Sequence, residues 1–352
     1  MLSLQQKAVQ LLGSDKGAVV MLDPRSGDVL AMASTPDFNA SAVTNPATAE
    51  RTFPALQSDP ADPLLPRAIQ GRYVPGSIFK IVTSMAGLSS GAIDLQTTFK
   101  QQPPAEKTGL LVDGFRVRDG HHPGTDGTAL DYDQAIEVSC NIWFALAGLR
   151  TGGTQLLSTA QALGFGSALP FDLPTVASQV TNGTGSFEGG FKDEVELANA
   201  AYGQGETFVT PLQMALVAAT VADGGVLMQP RLVLSASNAA GTVSYAPTVI
   251  RRVVSNEVAS EIRDAMVLAV NGSLGRPFTA GAAVAGLDVA GKSGTAELDP
   301  GVNPHSWLIA FAPADNPQVA IAVIVENGGH GSARAAPIAG SMLKAWQTWA
   351  GQ

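Results

Sequence analysis

Apolar residues follow a helical spacing of three and four positions directly after Ser77. This stripe predicts a buried helix and consists of Ile78, Ile81, Val82, Met85 and Leu88. Pro75 and Gly76 end the preceding segment, so we expect the helix to begin at Ser77. Thr210 and Pro211 mark the start of another helix, through a capping residue and a proline at the first helical position. Similar patterns predict helices at residues 3–12, 131–149, 155–163, 211–222, 255–270 and 334–349.

Strand-like apolar runs occupy both ends of the chain. Residues 17–22 and 28–33 flank a turn-forming cluster and predict a β-hairpin. Further strands are predicted at 284–295, 306–311 and 319–325. The stretches 45–70, 89–127 and 178–190 are polar or rich in turn-forming residues, and we expect them to be largely irregular. Together these patterns predict one sheet closed by both termini, with a helical lobe inserted between them.

Composition and charge exclude some functions. Hydrophobic residues make up 45% of the 352 positions and charged residues 14%, as in an ordinary globular protein. The net charge of −9 offers no basic surface, so we expect no nucleic-acid partner. Cys140 is the single cysteine, which excludes an internal disulfide. The sequence has no run of 18 apolar residues and no signal-peptide pattern, so we expect this chain to be soluble.

Ser77 and Lys80 can form an activated nucleophile. Residues three apart on a helix lie on one face, with Cβ atoms about 5–6 Å apart, so the Ser77 hydroxyl can meet the Lys80 amine. A serine with an adjacent base needs this proximity. Because Ser341 and Lys344 have the same spacing, the spacing alone does not identify the reactive pair.

Three other motifs match catalytic patterns but lack the structural context that those patterns need. Residues 286–293 match a P-loop, yet glycines and prolines follow where that loop must open a helix. Residues 87–91 match a nucleophile elbow, but the helix precedes the serine instead of following it, and Gly91 is expected to end that helix. Residues 107–109 lie in a polar loop beside two prolines. We expect none of the three to be functional.

Two further segments could face the same cleft as Ser77. Ser139 and Asn141 place a hydroxyl and an amide two positions apart, between two helical segments. Alternation along a strand would direct Lys292 and Gly294 to one side, where Gly294 would let a substrate backbone approach closely. Taken alone, each segment fits a polar helix surface or a polar strand end better than an active site.

The four histidines, His121, His122, His305 and His330, have no spacing typical of a metal site. His121 and His122 lie in a loop rich in glycine and aspartate, and we expect both side chains to be solvated. We expect neither a metal ion nor a cofactor.

Three motifs, in a characteristic order, resemble those of the serine acyl-transferases that penicillin acylates. They are Ser77-x-x-Lys80, Ser139-x-Asn141 and Lys292-Ser293-Gly294. The chain is similar to the transpeptidase domain of class B penicillin-binding proteins, and among these to the actinobacterial penicillin-binding protein A type. The similarity covers most of residues 15–350 and includes segments 20–24, 27–33, 67–68, 202–205 and 210–215. Pro66 departs from the pattern, since relatives often have Asn there.

The resemblance implies an α/β (α+β) fold of the penicillin-binding transpeptidase and serine β-lactamase type. Its antiparallel sheet is built from the N- and C-terminal segments and flanked by helices. Residues 15–352 would form the transpeptidase domain, with a sheet lobe at 15–70 and 226–352 and a helical lobe at 71–225. Residues 1–14 would be the remnant of a preceding segment or linker.

The resemblance also implies the catalytic roles. Ser77 would attack the carbonyl between the two terminal D-alanines of a peptidoglycan stem peptide, with Lys80 as its base. Ser139 would pass the proton to the leaving nitrogen, and Asn141 would hold Lys80 and the substrate amide. A free lysine has a pKa of about 10.4, so burial and the nearby Lys292 would have to lower that of Lys80.

Substrate binding is assigned by the same resemblance to the motif on the predicted C-terminal strand. Ser293, Gly294 and Thr295 would bind the substrate, the two hydroxyls at its terminal carboxylate, with Lys292 supplying positive charge. The backbone N–H groups of Ser77 and Thr295 would form the oxyanion hole.

The implied enzyme is a D,D-transpeptidase that β-lactams inhibit covalently, with a D,D-carboxypeptidase side activity. Its expected partners are stem peptides, β-lactam antibiotics and membrane-bound proteins of cell-wall synthesis or division. Class B members usually carry a membrane anchor, so we expect the full-length protein to be anchored and extracytoplasmic. Two alternatives stay open: a serine β-lactamase, for which Glu188 and Glu194 lack the usual sequence context, and a β-lactam sensor.

Overall fold

The computed structural model describes residues 1–120, 122, 124–125 and 127–351. Its α-helices are α1 Leu2–Leu12, α2 Ala40–Thr44, α3 Pro46–Gln57, α4 Arg67–Gln70, α5 Lys80–Ser90, α6 Gln102–Thr108, α7 Tyr132–Glu137, α8 Asn141–Thr151, α9 Gly153–Ala162, α10 Glu194–Ala201, α11 Pro211–Ala222, α12 Asn256–Asn271 and α13 Ala335–Ala350. Its strands are β1 Gly17–Leu22, β2 Val29–Thr35, β3 Leu110–Val112, β4 Phe115–Val117, β5 Val226–Met228, β6 Ser235–Asn238, β7 Gly241–Ser244, β8 Val249–Arg252, β9 Ala290–Ala296, β10 His305–Ala312 and β11 Val319–Val325.

A five-stranded antiparallel sheet joins the two ends of the chain, in the order β2-β1-β11-β10-β9. β1 and β11 are buried along their whole length because cores cover both faces of the sheet. Successive residues of β1 point to opposite faces: Val20 belongs to the core shared with α5, α8 and α11, and Val19 to the core shared with α1 and α13. The predicted fold class is confirmed.

Two helices, α11 and the α5 helix that follows Ser77, lie in the larger apolar core. α11 is buried from Pro211 to Val221 and packs on β1, β10 and β11. α5 packs against α8 and α9 and is buried from Lys80 to Gly87. Strands β9 and β10 contact the Gly76–Phe79 turn that leads into α5, and α8, α9 and α12 pack against α5 itself.

Two stretches predicted to be irregular contain regular structure. Residues 45–70 include α3, where the Asn45 side chain accepts a hydrogen bond from Ala47 N and Pro46 occupies the first turn. This start signal was hidden by the polar composition of the helix, which buries no residue. Residues 89–127 include α6 and the β3–β4 hairpin, and β9 begins at Ala290, later than predicted.

The first helix is part of the packed structure. Leu4, Ala8 and Leu12 of α1 are buried in the core that α13 shares. Across the residues that the structure describes, no helix combines the length and the apolar character needed to cross a membrane.

Candidate active site

Ser77 and Lys80 meet at the start of α5. Residues Gly76–Phe79 form a 3-10 turn that continues directly into the helix. Lys80 Nζ lies 3.0 Å from Ser77 Oγ. Lys80 is fully buried, whereas Ser77 is partly exposed and lines a cleft. The predicted proximity of hydroxyl and amine is therefore present.

Two glycines allow the nucleophile turn to pack closely between its neighbours. Gly76 N donates a hydrogen bond to Gly203 O at 2.8 Å. Both glycines have positive φ; a Cβ at Gly76 would lie 2.5 Å from Thr295 O, and a Cβ at Gly203 would lie 2.0 Å from Gly76 O. The segment before Ser77 is thus held between β9 and the turn that follows α10.

Ser139 and Asn141 approach Lys80 from the break between α7 and α8. Ser139 has a φ of 63°, in the left-handed region. Its hydroxyl lies 3.2 Å from Lys80 Nζ and 2.8 Å from Lys292 Nζ. Lys80 Nζ also donates to the Ser139 carbonyl and, at 2.8 Å, to Asn141 Oδ1. The Ser139 hydroxyl therefore lies between the two amines.

β9 brings Lys292 and Gly294 to the side of Ser77, as the alternation predicted. Lys292 is fully buried. A Cβ at Gly294 would lie 2.9 Å from Pro75 O and 3.0 Å from Ile78 Cγ2. The missing side chain thus makes room for the nucleophile segment, whereas we expected it to admit a substrate backbone. Contact of Gly294 with substrate stays a prediction.

The two hydroxyls predicted to bind a carboxylate differ in accessibility. Thr295 lines the cleft, and its Oγ1 accepts a hydrogen bond from Gly331 N at 3.3 Å. Ser293 is only 6% exposed, and Gly331 packs closely against it: a Cβ built at Gly331 would lie 2.8 Å from the Cβ of Ser293. Thr295 is therefore the better placed of the two to reach a ligand.

A cleft of about 670 Å³ connects these elements, and its lining includes Ser77, Ser139, Asn141 and Thr295. Neither of the two acidic residues considered for a water-activating role is among the described residues that line this cleft. Glu188 accepts a hydrogen bond from Gly153 N at 3.2 Å, and Glu194 begins α10.

Burial controls the charge of both lysines. It lowers the pKa of Lys80 to about 8, although the negative charge of Asp119 raises it. Burial and the positive charge of Lys80 together lower the pKa of Lys292 well below its ordinary value. From the sequence we expected the charge of Lys292 to lower the pKa of Lys80. In the structure, the repulsion between the two lysines lowers the pKa of Lys292.

A buried polar cluster behind the start of α8 was missed by the sequence analysis. His122 is 2% exposed, with Nε2 3.3 Å from Asp119 Oδ1 and Nδ1 3.4 Å from Glu106 Oε1. The prediction that His122 is solvated is therefore wrong, while His121 lies outside the described residues. Donor atoms of Asp119, His122 and Cys140 lie within 4.8 Å of one another, a set that could coordinate Zn²⁺. No metal-motif spacing joins these residues, so their proximity depends on the fold, and the expectation that no metal binds stays a prediction.

Comparisons with known proteins agree with this geometry. The family model described as penicillin binding protein transpeptidase domain matches residues 17–344. Peptidoglycan D,D-transpeptidase PbpA of Mycolicibacterium smegmatis is 38% identical over 346 residues, which cover 95% of this chain and 67% of that protein. Peptidoglycan D,D-transpeptidase MrdA of Acinetobacter baumannii is 31% identical over 369 residues, which cover 97% of this chain and 52% of that protein.

Solved structures give the same result. Penicillin-binding protein A from M. tuberculosis, in a ceftriaxone acyl-enzyme complex, has a TM-score of 0.85 at 32% identity, covering 98% of this chain and 77% of that one. A D,D-transpeptidase domain from Eggerthella lenta has a TM-score of 0.86 at 33% identity, covering 99% of this chain and 82% of that one. This chain therefore belongs to the transpeptidase domain family of class B penicillin-binding proteins.

Proposed function

We propose that this chain is a serine D,D-transpeptidase that cross-links peptidoglycan stem peptides through an acyl-enzyme. One observation carries the proposal: the buried Lys80 amine lies 3.0 Å from the Ser77 hydroxyl, and the Ser139 hydroxyl bridges from Lys80 to Lys292. This arrangement provides an activated nucleophile and a path for its proton. The relatives named peptidoglycan D,D-transpeptidases support the choice of substrate.

In the first step, the neutral Lys80 amine accepts the Ser77 proton while Oγ bonds to the carbonyl carbon of the penultimate D-alanine. The carbon–nitrogen bond to the last D-alanine breaks as Ser139 delivers its proton to that nitrogen and takes up the proton held by Lys80, 3.2 Å away, so that Lys80 is neutral again. Free D-alanine leaves, and the peptide remains as an ester on Ser77. The N–H groups of Ser77 and Thr295 stabilise the carbonyl oxygen as it becomes negative.

In the second step, an amine of a neighbouring stem peptide attacks the ester carbon. Lys80 accepts a proton from this amine, the bond to Ser77 Oγ breaks, and Lys80 passes the proton to this oxygen, 3.0 Å away; the new amide is the cross-link. The ester conserves the energy of the D-alanyl bond, so the exchange needs no nucleotide. Water in place of the amine would give the D,D-carboxypeptidase side activity.

Binding of an anionic substrate changes the charge of Lys292 in this proposal. The lowered pKa of Lys292 favours a neutral amine in the empty site. A carboxylate bound at Ser293, Gly294 and Thr295 raises this pKa, because an opposite charge favours the protonated form. The resulting ammonium group disfavours a proton on Lys80, so the ligand itself prepares the base.

The test is a time course with a fluorescent penicillin. The transpeptidase proposal expects a label that persists for minutes, whereas loss of the label within seconds would indicate a β-lactamase. Turnover of a stem-peptide substrate distinguishes an enzyme from a β-lactam sensor. Ser77→Ala should abolish labelling and Ser341→Ala should not; persistent labelling of Ser77→Ala would mean that another serine reacts.

We also propose that residues 15–352 act as one transpeptidase domain, with the sheet lobe at 15–70 and 226–352 and the helical lobe at 71–225. In the full-length protein this domain would be extracytoplasmic and tethered to the membrane. It would work there with membrane-bound proteins of cell-wall synthesis or division. The support is the class B family, whose members usually carry an anchor.

A further inference from the structure

The Asp119 carboxylate binds the backbone directly behind two predicted catalytic residues. Its Oδ1 accepts a hydrogen bond from Asn141 N at 3.0 Å. Its Oδ2 accepts from Ile142 N at 3.1 Å and from the Cys140 thiol at 2.9 Å. The two N–H groups belong to the first turn of α8, where they have no partner within the helix and favour a negative charge. One side chain thus fixes three consecutive residues.

Asp119 is itself held rigidly in its charged form. Its side chain is 1% exposed, and His122 Nε2 lies 3.3 Å from Oδ1. Burial alone would raise the pKa of Asp119, but His122 and Lys80 lower it below its ordinary value. His122 is supported from behind by Glu106, whose Oε1 lies 3.4 Å from His122 Nδ1. The carboxylate is therefore held between the start of α8 and His122.

The segment that Asp119 anchors has a strained conformation. Ser139 lies in the left-handed region, which costs a non-glycine residue stability unless its surroundings hold it in place. A small shift would move its hydroxyl away from Lys80 Nζ at 3.2 Å and from Lys292 Nζ at 2.8 Å. Asn141 Oδ1, at 2.8 Å from Lys80 Nζ, would move with it.

We propose that Asp119 is a positioning residue for acylation, because it holds Ser139 and Asn141 at the distances from Lys80 that proton transfer requires. The inference rests on the proposed function. Asp119 acts through the Ser139–Asn141 segment, and the substrate need not touch it.

The alternative is that Asp119 serves only as a helix cap. Asp131 provides a control, because its carboxylate also accepts a hydrogen bond from a first-turn N–H group, as the N-cap residue of the preceding helix. Its side chain accepts a hydrogen bond from Gln134 N at 2.9 Å within a capping box. Asp131 stabilises α7, whereas Asp119 holds the segment that contacts Lys80.

The experiment compares Asp119→Asn with Asp131→Ala in the complete 352-residue chain. Asp119→Asn replaces one acceptor oxygen by a donor amide of nearly the same size, and Asp131→Ala removes a helix cap. A saturation series with a fluorescent penicillin separates the dissociation constant of the first complex from the acylation rate constant. Circular dichroism gives the melting temperature of each variant.

We expect Asp119→Asn to reduce the acylation rate constant about 10- to 100-fold, as a small misplacement of catalytic groups does, with an unchanged dissociation constant. Asp131→Ala should lower the melting temperature and leave the rate constant within about twofold. A folded Asp119→Asn that acylates at the rate of the unsubstituted chain would overturn the inference. So would an equal loss of rate in both variants.

Asp119→Glu keeps the test decisive if Asp119→Asn does not fold. Glu retains the charge beside the α8 N–H groups but moves the carboxylate by one methylene. We expect slower acylation again, and an unchanged rate in the folded variant would contradict positioning. If the unsubstituted chain takes up no penicillin label, the proposed function fails; if it is labelled and the Asp119 variants react equally fast, the positioning role alone fails.

Discussion

The two buried lysines of the cleft share a partner but have different surroundings. Lys80, on the helical side, contacts Ser77, Ser139 and Asn141 and experiences the negative charge of Asp119. Lys292, on the strand side, also donates to the Ser139 hydroxyl, at 2.8 Å, but experiences the positive charge of Lys80. Burial lowers the pKa of both amines; Asp119 opposes this shift at Lys80, whereas the charge of Lys80 adds to it at Lys292.

This difference assigns separate tasks to the two sides of the cleft. The helical side holds a hydroxyl and an amine in hydrogen-bonding contact, as base catalysis requires. On the strand side, β9 carries both Lys292 and Thr295, and in the proposed mechanism Lys292 gains a proton when an anionic ligand binds. Variants that damage one side and spare the other can test this division.

The largest effect should come from Lys80→Met, which removes the amine and keeps a long unbranched side chain in its place. We expect acylation by penicillin to slow about 10²- to 10⁴-fold, the range for losing a general base. Lys344→Met is the control, since Ser341 and Lys344 have the same spacing but Lys344 is exposed on α13. Acylation of Lys80→Met within tenfold of the unsubstituted rate would show that the helical side does not supply the base.

Gly203→Ala should displace the nucleophile without removing a reactive group. A Cβ there would lie 2.0 Å from Gly76 O, so the turn before Ser77 must move, and we expect acylation to slow about 10²-fold. At Gly205, φ is also positive, but the nearest atom to a Cβ is Asn199 Cβ at 3.6 Å. Gly205→Ala therefore introduces similar backbone strain without the clash. The rate of penicillin labelling measures both effects. If the two variants lost the same fraction of this rate, displacement of the Ser77 turn would be contradicted.

Local patterns in the sequence were sufficient for the elements that carry the motifs. The stripe after Ser77 predicted α5, with Gly91 as its end, and the turn-forming cluster at 23–27 predicted the β1–β2 hairpin. The apolar runs predicted β10 and β11 within one or two residues. Local patterns could not predict the proximity of Ser77 and Lys292, since 215 positions separate these residues. It was expected from the family resemblance, not from any local pattern.

The features that the sequence did not reveal depend on packing between distant segments. His122 is polar and lies in a loop rich in glycine, and its burial follows from carboxylates contributed by Asp119 and Glu106. Asp119 has no helical or strand pattern of its own, and its role appears when the start of α8 is placed beside it. For α3, a signal was present: Asn45 and Pro46 repeat the start that was recognised at Thr210 and Pro211.

A change of pH should have the smallest effect, and it tests both sides together. In the proposed mechanism Lys80 acts as a base when neutral, and its pKa of about 8 lies below the ordinary 10.5. The second-order rate constant of acylation, which reports the free enzyme, should therefore rise with pH and level off above that pKa, with about a tenfold gain from pH 7 to pH 9. Among its charged neighbours, Asp119 opposes the shift, while the pKa of the Cys140 thiol lies well above its ordinary value, so this thiol stays neutral.

The ligand's own charge should move this profile. A penicillin carboxylate keeps Lys292 protonated, and the added positive charge lowers the pKa of Lys80 further. The methyl ester of the same penicillin lacks this charge, so its acylation should show a midpoint at higher pH. Stopped-flow acylation rates between pH 6 and pH 10, with each compound, measure the two midpoints. Because both compounds carry the same reactive ring, equal midpoints would mean that the strand side does not influence the charge of the base.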